Sequence, residues 1–211
     1  MHFFVGVAVA IGCGLAPWAA ARLPTRWIVI AAVPFLVILV AGLVFGIAIY
    51  PFSDVFVAAF ALLVGIALGR MTPPRFRPFV LLLLILSVVD VAQNLAFAGP
   101  STPSTASSAP DPHFIWLNVR FPLQDGHFNI GFADVILIAA AAENLRRRSA
   151  TVALTLLPGV IGISLGEALL SALPSNPPTV VVAISASLVL FLTAGYVLTE
   201  LAVSQTASKT A

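Results

Sequence analysis

The sequence predicts an all-α polytopic membrane protein with seven transmembrane helices. The N-terminus is predicted outside and the C-terminus inside, with a short β element in the external loop 99–127. The chain has 211 residues, of which 60% are hydrophobic and only 9% are charged, and its mean hydropathy is +1.09. This composition leaves too little polar surface to cover a soluble core. The spacing of the apolar runs and the placement of the arginines supply the rest of the prediction.

Seven apolar runs approach or reach the length of about 20 residues that a helix needs to cross a bilayer. They lie at about 3–21, 27–49, 55–69, 78–98, 128–145, 151–171 and 179–201. We expect the first run to be an uncleaved anchor. It has no Lys or Arg before it, and its basic residues follow it, which is the reverse of a signal peptide.

Basic residues follow every second apolar run, and these are Arg22, Arg26, Arg70, Arg75, Arg77, Arg146, Arg147, Arg148 and Lys209. The opposite connections contain one basic residue, Arg120. Because positively charged short loops stay on the cytoplasmic side, the pattern predicts the orientation given above. We therefore expect an integral multi-pass protein in contact with the lipid bilayer of a prokaryotic plasma membrane.

Several classes of function are disfavoured by composition. The net charge of +2 comes with no basic tract, so nucleic acid is not an expected partner. The single cysteine, Cys13, excludes an intrachain disulfide and a thiolate metal cluster. His113 and His127 lie at no metal-ligand spacing. We expect neither a metal nor a cofactor.

The connection 99–127 begins with a Pro/Ser/Thr-rich stretch, and its second half has a regular alternation of residue types. In residues 115–121 the apolar Ile115, Leu117, Val119 and Phe121 alternate with polar or aromatic residues, which is the period of a strand with one buried face. One interpretation is an amphipathic segment at the lipid interface. The other is an exposed strand edge that pairs with an extended peptide. We prefer the second because the segment directly precedes the run that carries Asp134.

Two aspartates, Asp90 and Asp134, stand alone inside apolar runs. An ionised carboxylate in hydrocarbon costs roughly 2.5 to 3.5 kcal/mol even on lenient scales, so such residues are mainly functional. At 1.5 Å per residue they lie roughly 13 Å and 9 Å below the outer helix ends. Two adjacent carboxyls at similar depth could act as the acid and the base of a hydrolytic site. The alternative is two unrelated residues, each satisfied by a neighbour such as Ser87, Gln93 or Asn94.

The flanking sequences favour the pair. Asp134 ends Gly131-Phe132-Ala133-Asp134, Asp90 follows Val89, and Ala172-Leu173-Pro174 precedes the last run. This ordered set resembles the GxGD intramembrane aspartyl proteases, the family of presenilin and signal peptide peptidase. Three positions depart from the family pattern: Val89 replaces a tyrosine, Ala133 a glycine and Ser171 a proline.

The resemblance implies an aspartic endopeptidase that cleaves transmembrane peptides, with Asp90 and Asp134 as the catalytic residues. We expect the substrate to contact Gly131, Phe132, Ala133, Ala172, Leu173, Pro174, Leu117 and Val119. Residues 1–77 would form a three-helix scaffold, and residues 78–211 a catalytic four-helix region with the external loop 99–127. The family usually has nine helices, so this chain would be a compact variant. Its orientation would be similar to that of signal peptide peptidase.

Other functions stay open at this point. A type 4 prepilin peptidase-like protease would place its aspartates near the cytoplasmic face, opposite to the orientation predicted here. A seven-helix transporter or sensor could use the acids, including Glu167, to carry protons or cations. A catalytically impaired homologue of the protease fold is the third alternative. A retinal protein is excluded because the only lysine is Lys209 in the tail.

Overall fold

The computed structural model describes residues 2–47, 52–97, 118–123, 126–148, 150–173 and 187–209. These residues form one hairpin and seven helices, which is the number of helices that the sequence predicts. That all seven cross a membrane stays a prediction. The helices are α1 (His2–Ala19), α2 (Thr25–Phe45), α3 (Phe52–Met71), α4 (Phe76–Phe97), α5 (Phe132–Arg146), α6 (Val152–Ser171) and α7 (Leu188–Lys209). The strands are β1 (Asn118–Leu123) and β2 (Gly126–Gly131).

Helix α5 occupies the centre of the bundle. It contacts α1, α3, α6, α7 and β2, and within it Val135 and every residue from Leu137 to Leu145 are buried. Four consecutive alanines, 139–142, lie in the middle of this stretch. Their small side chains allow neighbours to approach on several sides, so a helix of only 15 residues is surrounded by partners.

Glycines set the distance between α3 and α5. A Cβ atom added at Gly65 would collide with the carbonyl oxygen of Ile136, and one added at Gly69 would lie 2.7 Å from the carbonyl oxygen of Ala140. Gly69 meets α5 one turn later than Gly65 does, so the two helices run parallel. The two glycines sit at the GxxxG spacing that allows close helix contact in membranes.

The last two helices pack antiparallel through the same kind of contact. A Cβ atom at Gly162 of α6 would lie 3.0 Å from the Cα atom of Leu192, and one at Gly195 of α7 would lie 2.7 Å from the carbonyl oxygen of Pro158. The end of α6 is therefore next to the start of α7. Helix α4 packs on the other side of α7.

The hairpin confirms the predicted strand in part and adds a second one. In β1–β2 the pairs run from Asn118 with Gly131 to Leu123 with Gly126. The predicted strand 115–121 overlaps β1 at residues 118–121, and its first three residues, Leu117 among them, lie outside the described residues. The predicted start of the fifth helix near Phe128 is wrong, because residues 126–131 pair with β1 and the helix begins at Phe132.

The two ends of the bundle differ chemically. One end, here called the arginine end, is built around Glu143, which is completely buried. Its carboxylate accepts hydrogen bonds from Nε of Arg70 at 2.9 Å and Nε of Arg146 at 2.7 Å. Arg70 also donates to the carbonyl oxygens of Ala20, at 2.8 Å, and Leu23. This buried carboxylate thus joins α3, α5 and the connection after α1.

Further polar contacts extend this end. The guanidinium of Arg147 donates to three carbonyl oxygens at the end of α3, those of Gly69, Arg70 and Thr72. Arg148 pairs with Glu200, and the Tyr196 hydroxyl donates to Oδ1 of Asn144 at 2.8 Å. The arginine end therefore has satisfied buried charges that tie α5 to α3 and α7.

Three of the described helices are long and apolar enough to cross a membrane: Thr25–Phe45, Phe52–Met71 and the Val152–Leu169 part of α6. Shorter apolar stretches occupy Phe4–Ala19 and Leu188–Ala202. The outward faces of α2 and α4 expose large aliphatic side chains, including Val37, Leu81, Ile85 and Val88. Such surfaces suit contact with lipid. The division into units at residue 77 stays a prediction, although α3 packs on α5 across it.

Candidate active site around two aspartates

Asp90 lies on α4 and is half-buried. Its Oδ2 atom accepts a hydrogen bond of 2.7 Å from the hydroxyl of Ser187. Ser187 is completely buried and directly precedes α7. The hydroxyl oxygen of Ser187 also accepts a bond of 3.4 Å from the backbone N–H of Leu190. Ser187 is thus the N-cap of α7 and a partner of Asp90 at the same time.

Asp134 is the third residue of α5 and is also half-buried. Its Oδ2 atom accepts a hydrogen bond of 3.2 Å from the backbone N–H of Gly131, the residue where β2 ends. This is one half of a capping box, since Gly131 has no side chain to return the bond. A Cβ atom at Gly131 would lie 2.8 Å from Oδ2 of Asp134. The glycine therefore leaves the space that the carboxylate occupies.

The structure brings the two carboxyls to the same region of the bundle. The charge of Asp90 acts on Asp134, and Tyr196 of α7 contacts both helices, through Phe79 of α4 and Asn144 of α5. Helix α7 contacts both of these helices. The aspartates therefore lie beside the start of α7, at the end opposite to the arginine end. We call this the aspartate end.

Neighbouring contacts place the two residues at similar heights. One turn below Asp90, the hydroxyl of Ser87 lies 3.1 Å from that of Thr193. On the other side, Tyr196 of α7 bonds to Asn144 of the parallel helix α5. Asp134 precedes Asn144 by about 15 Å along its helix, and Ser187 precedes Tyr196 by roughly 13 Å. Asp134 therefore lies at about the level of Ser187, the residue that bonds to Asp90.

The predicted substrate-contacting residues are partly brought to this end. Ala172 and Leu173 follow the last turn of α6, where Ala172 N–H still donates to the carbonyl oxygen of Ala168 at 3.2 Å. A Cβ atom at Gly166 of α6 would lie 3.4 Å from the ring of Phe191 in α7. Ala172 and Leu173 therefore lie near the start of α7, the helix that Ser187 caps.

The remaining predicted residues have different positions. Gly131, Phe132 and Ala133 form the junction between β2 and α5, with Phe132 packed on the core and Ala133 exposed. Val119 lies in β1 and pairs with Ile130 of β2. Leu117 and Pro174 lie outside the described residues. The motif positions before Asp134 are thus beside the carboxylate.

An apolar cleft of about 360 Å³ opens next to Asp90. It lies between α4 and α7, and its lining residues are Leu84, Ser87, Val88, Val91, Ala92 and Leu190. Val88 and Leu84 are largely exposed on the outer face of α4. A hydrophobic segment can therefore approach the region of Asp90 from the side of the bundle.

Sequence reasoning missed Ser187, although a signal was present. A serine that directly precedes an apolar helix is a common N-cap, but its pairing with Asp90 is a contact across 97 positions. Ser87, one of the neighbours considered for Asp90, bonds instead to Thr193 and to the carbonyl oxygen of Leu83.

Among the described residues, no three His, Cys, Asp or Glu side chains form a group that could hold a metal ion. Comparisons with protein-family models, curated proteins and solved structures gave no match to this chain.

Proposed function

We propose that this protein is an intramembrane aspartyl protease that hydrolyses peptide bonds of transmembrane segments through Asp90 and Asp134. The observation that carries the proposal is that Asp90 on α4 and Asp134 on α5, both from apolar runs, lie at the same end of the bundle, beside the start of α7. Two acids close together cannot both ionise cheaply. One therefore retains a proton, while the other can accept a proton from water.

These two states are the ones that peptide hydrolysis by a carboxyl pair requires. The ionised carboxyl removes a proton from the attacking water, and the protonated carboxyl donates a hydrogen bond to the scissile carbonyl oxygen. The proton taken from the water is then delivered to the nitrogen of the leaving amine. The half-buried position of both groups admits a peptide and a water while limiting exchange with solvent.

The hairpin supports a role in holding the substrate. A transmembrane helix hides its peptide bonds in its own hydrogen bonds, so cleavage requires unwinding, and the freed groups need partners. The strand β2 ends at Gly131, three residues before Asp134, and β1 pairs with it along its length. Each strand of a two-stranded sheet pairs with its partner along one edge, so an extended segment added to the other edge of a strand would be directed toward the carboxyls.

The orientation is part of the proposal. The basic connections support an arginine end in the cytoplasm and an aspartate end toward the outside. In a prokaryotic plasma membrane this arrangement is similar to that of signal peptide peptidase. It favours substrates with a single span whose N-terminus is cytoplasmic.

The proposal is tested by replacing each carboxyl with its neutral amide. The purified protein in lipid nanodiscs is given a labelled transmembrane peptide, and new termini are identified by mass spectrometry. Asp90→Asn and Asp134→Asn should each abolish cleavage, since each carboxyl has a separate role. Both variants should remain folded, because the amide keeps the volume of the carboxyl and its oxygen can accept the same hydrogen bond. Full turnover by either variant would contradict a carboxyl pair.

A matched control uses another acid within an apolar helix. Glu167 of α6 is half-buried, and Glu167→Gln should leave cleavage unchanged. If the wild-type protein cleaves no peptide but moves protons or cations in the same nanodiscs, the transporter alternative replaces the protease.

A further inference from the structure

We infer that Ser187 is the positioning residue for Asp90, fixing its carboxylate against the first turn of α7. The inference rests on the proposed function and names a residue outside all the motifs that led to it. Ser187 is not itself a reacting group. It acts by holding one carboxyl oxygen so that the other stays available to the water and the peptide.

The hydrogen-bond geometry gives Ser187 one orientation. A serine hydroxyl has a single proton to donate and two lone pairs that accept. Here the proton goes to Oδ2 of Asp90 at 2.7 Å, and the oxygen accepts from the N–H of Leu190 at 3.4 Å. The residue is completely buried, so water does not compete for the hydroxyl. A bond of this kind to a carboxylate is stronger than one between neutral groups.

The same interface contains a second hydroxyl link that does not reach Asp90. One turn lower, Ser87 donates to the carbonyl oxygen of Leu83 at 2.8 Å and lies 3.1 Å from the hydroxyl of Thr193. This pair also joins α4 to α7. Holding the two helices together is therefore not the property that distinguishes Ser187, whereas contact with the carboxylate is.

The consequence is a link between the two sides of the proposed site. Asp90 belongs to α4, while the start of α7 lies beside the end of α6, where Ala172 and Leu173 are. Through Ser187, the carboxylate takes its position from the first turn of α7. A change in the position of that turn would move the carboxylate with it.

The test compares Ser187→Ala with Ser187→Thr in the peptide-cleavage assay. Alanine removes the hydroxyl and should lower kcat by roughly 10- to 100-fold with little change in KM, because positioning of a reacting group is lost while peptide binding is not. Threonine keeps a hydroxyl at the same position and should restore most of the activity.

Two controls separate positioning from structure. Thr151 caps α6 through a bond of the same length, 3.4 Å to the N–H of Leu154, far from both aspartates. Thr151→Ala removes the same kind of cap, so it should lower the unfolding temperature and leave kcat unchanged. Ser87→Ala removes the neighbouring hydroxyl link between α4 and α7, and it should also leave kcat unchanged.

A double-mutant cycle tests the hydrogen bond between Ser187 and Asp90 through protein stability, without a measurement of activity. The effects of Ser187→Ala and Asp90→Ala on the unfolding temperature should be non-additive, whereas those of Thr151→Ala and Asp90→Ala should add. Additivity in the first cycle would overturn the inference, as would wild-type kcat in Ser187→Ala while Asp90→Asn is inactive. If the wild-type protein cleaves nothing, the proposed function itself fails, and the positioning role falls with it.

Discussion

At the scale of single residues, Gly131 determines where the Asp134 carboxylate can lie. The residue donates its N–H to Oδ2 of Asp134 and has an ordinary helical-entry φ of −62°. The backbone conformation therefore does not require a glycine at this position. The close contact does, because a Cβ atom would lie 2.8 Å from the same oxygen.

Replacing Gly131 with alanine should therefore impair catalysis and leave the fold intact. The Cβ atom meets the end of a flexible side chain, which can rotate away without a shift of the backbone. The carboxyl then leaves its place, and a displacement of about 1 Å can lower kcat by up to roughly 100-fold. Turnover of the transmembrane peptide and the unfolding temperature measure the two effects separately.

Gly12→Ala is the matched control, since a Cβ atom at Gly12 meets nothing within 4 Å. It should leave both quantities unchanged. Wild-type turnover in Gly131→Ala would show that the carboxylate position seen here does not matter for cleavage.

The aspartates could be predicted from the sequence because an isolated acid in an apolar run is itself the signal. Their partners could not. Ser187 is one of several serines near the last helix, and only the antiparallel packing of α4 and α7 brings it to Asp90. The reason for a glycine at position 131 depends on the side-chain rotamer of Asp134, which has no trace in the pattern of residue types.

At the scale of elements, the helices follow from composition and the hairpin only in part. The alternation in residues 118–121 predicts β1, but the apolar Phe128 and Ile130 make β2 look like the start of the following helix. Strand formation there depends on pairing with β1, a contact between segments. The consequence is functional, since Asp134 lies in the first turn of α5 and not six residues inside a helix.

The packing of α3 on α5 offers a prediction at this scale. In Gly65→Ala the added Cβ atom meets the backbone of α5, so the two helices have to separate. We expect a loss of about 1–3 kcal/mol in the free energy of unfolding, as for other overpacked cores. Thermal unfolding of the purified protein measures it, with Gly12→Ala as the reference. Equal stability of the two variants would contradict the close contact.

At the scale of the whole molecule, charge separates the two ends of the bundle. Glu143, Arg70 and Arg146 form a buried cluster at one end, and the aspartates lie at the other. The sequence already indicates this difference between the two ends, because basic residues occur in alternate connections. The direction in the membrane is a separate matter, since it follows from the charge rule and not from packing.

Cysteine labelling in intact cells tests that direction. A cysteine at position 104, introduced with Cys13→Ala, should react with a membrane-impermeant maleimide before the cells are opened. One at position 149, after α5, should react only after permeabilisation. The reverse result would place the aspartate end in the cytoplasm and favour the prepilin peptidase-like alternative.

The central claim is that Asp90 and Asp134 belong to one site, and cross-linking measures it most directly. Asp90→Cys and Asp134→Cys are combined with Cys13→Ala, and a protease cleavage site is inserted within residues 101–110. A direct disulfide requires Cα atoms within about 7 Å, so a bismaleimide that spans about 10 Å is used as well.

We predict that, after cleavage of the loop, the two fragments stay joined by this short reagent. With Val80→Cys in place of Asp90→Cys, about 15 Å farther along α4, they should separate. Separation of the fragments in the protein that carries both Asp90→Cys and Asp134→Cys, under conditions that label both introduced thiols, would contradict a shared site and with it the protease mechanism.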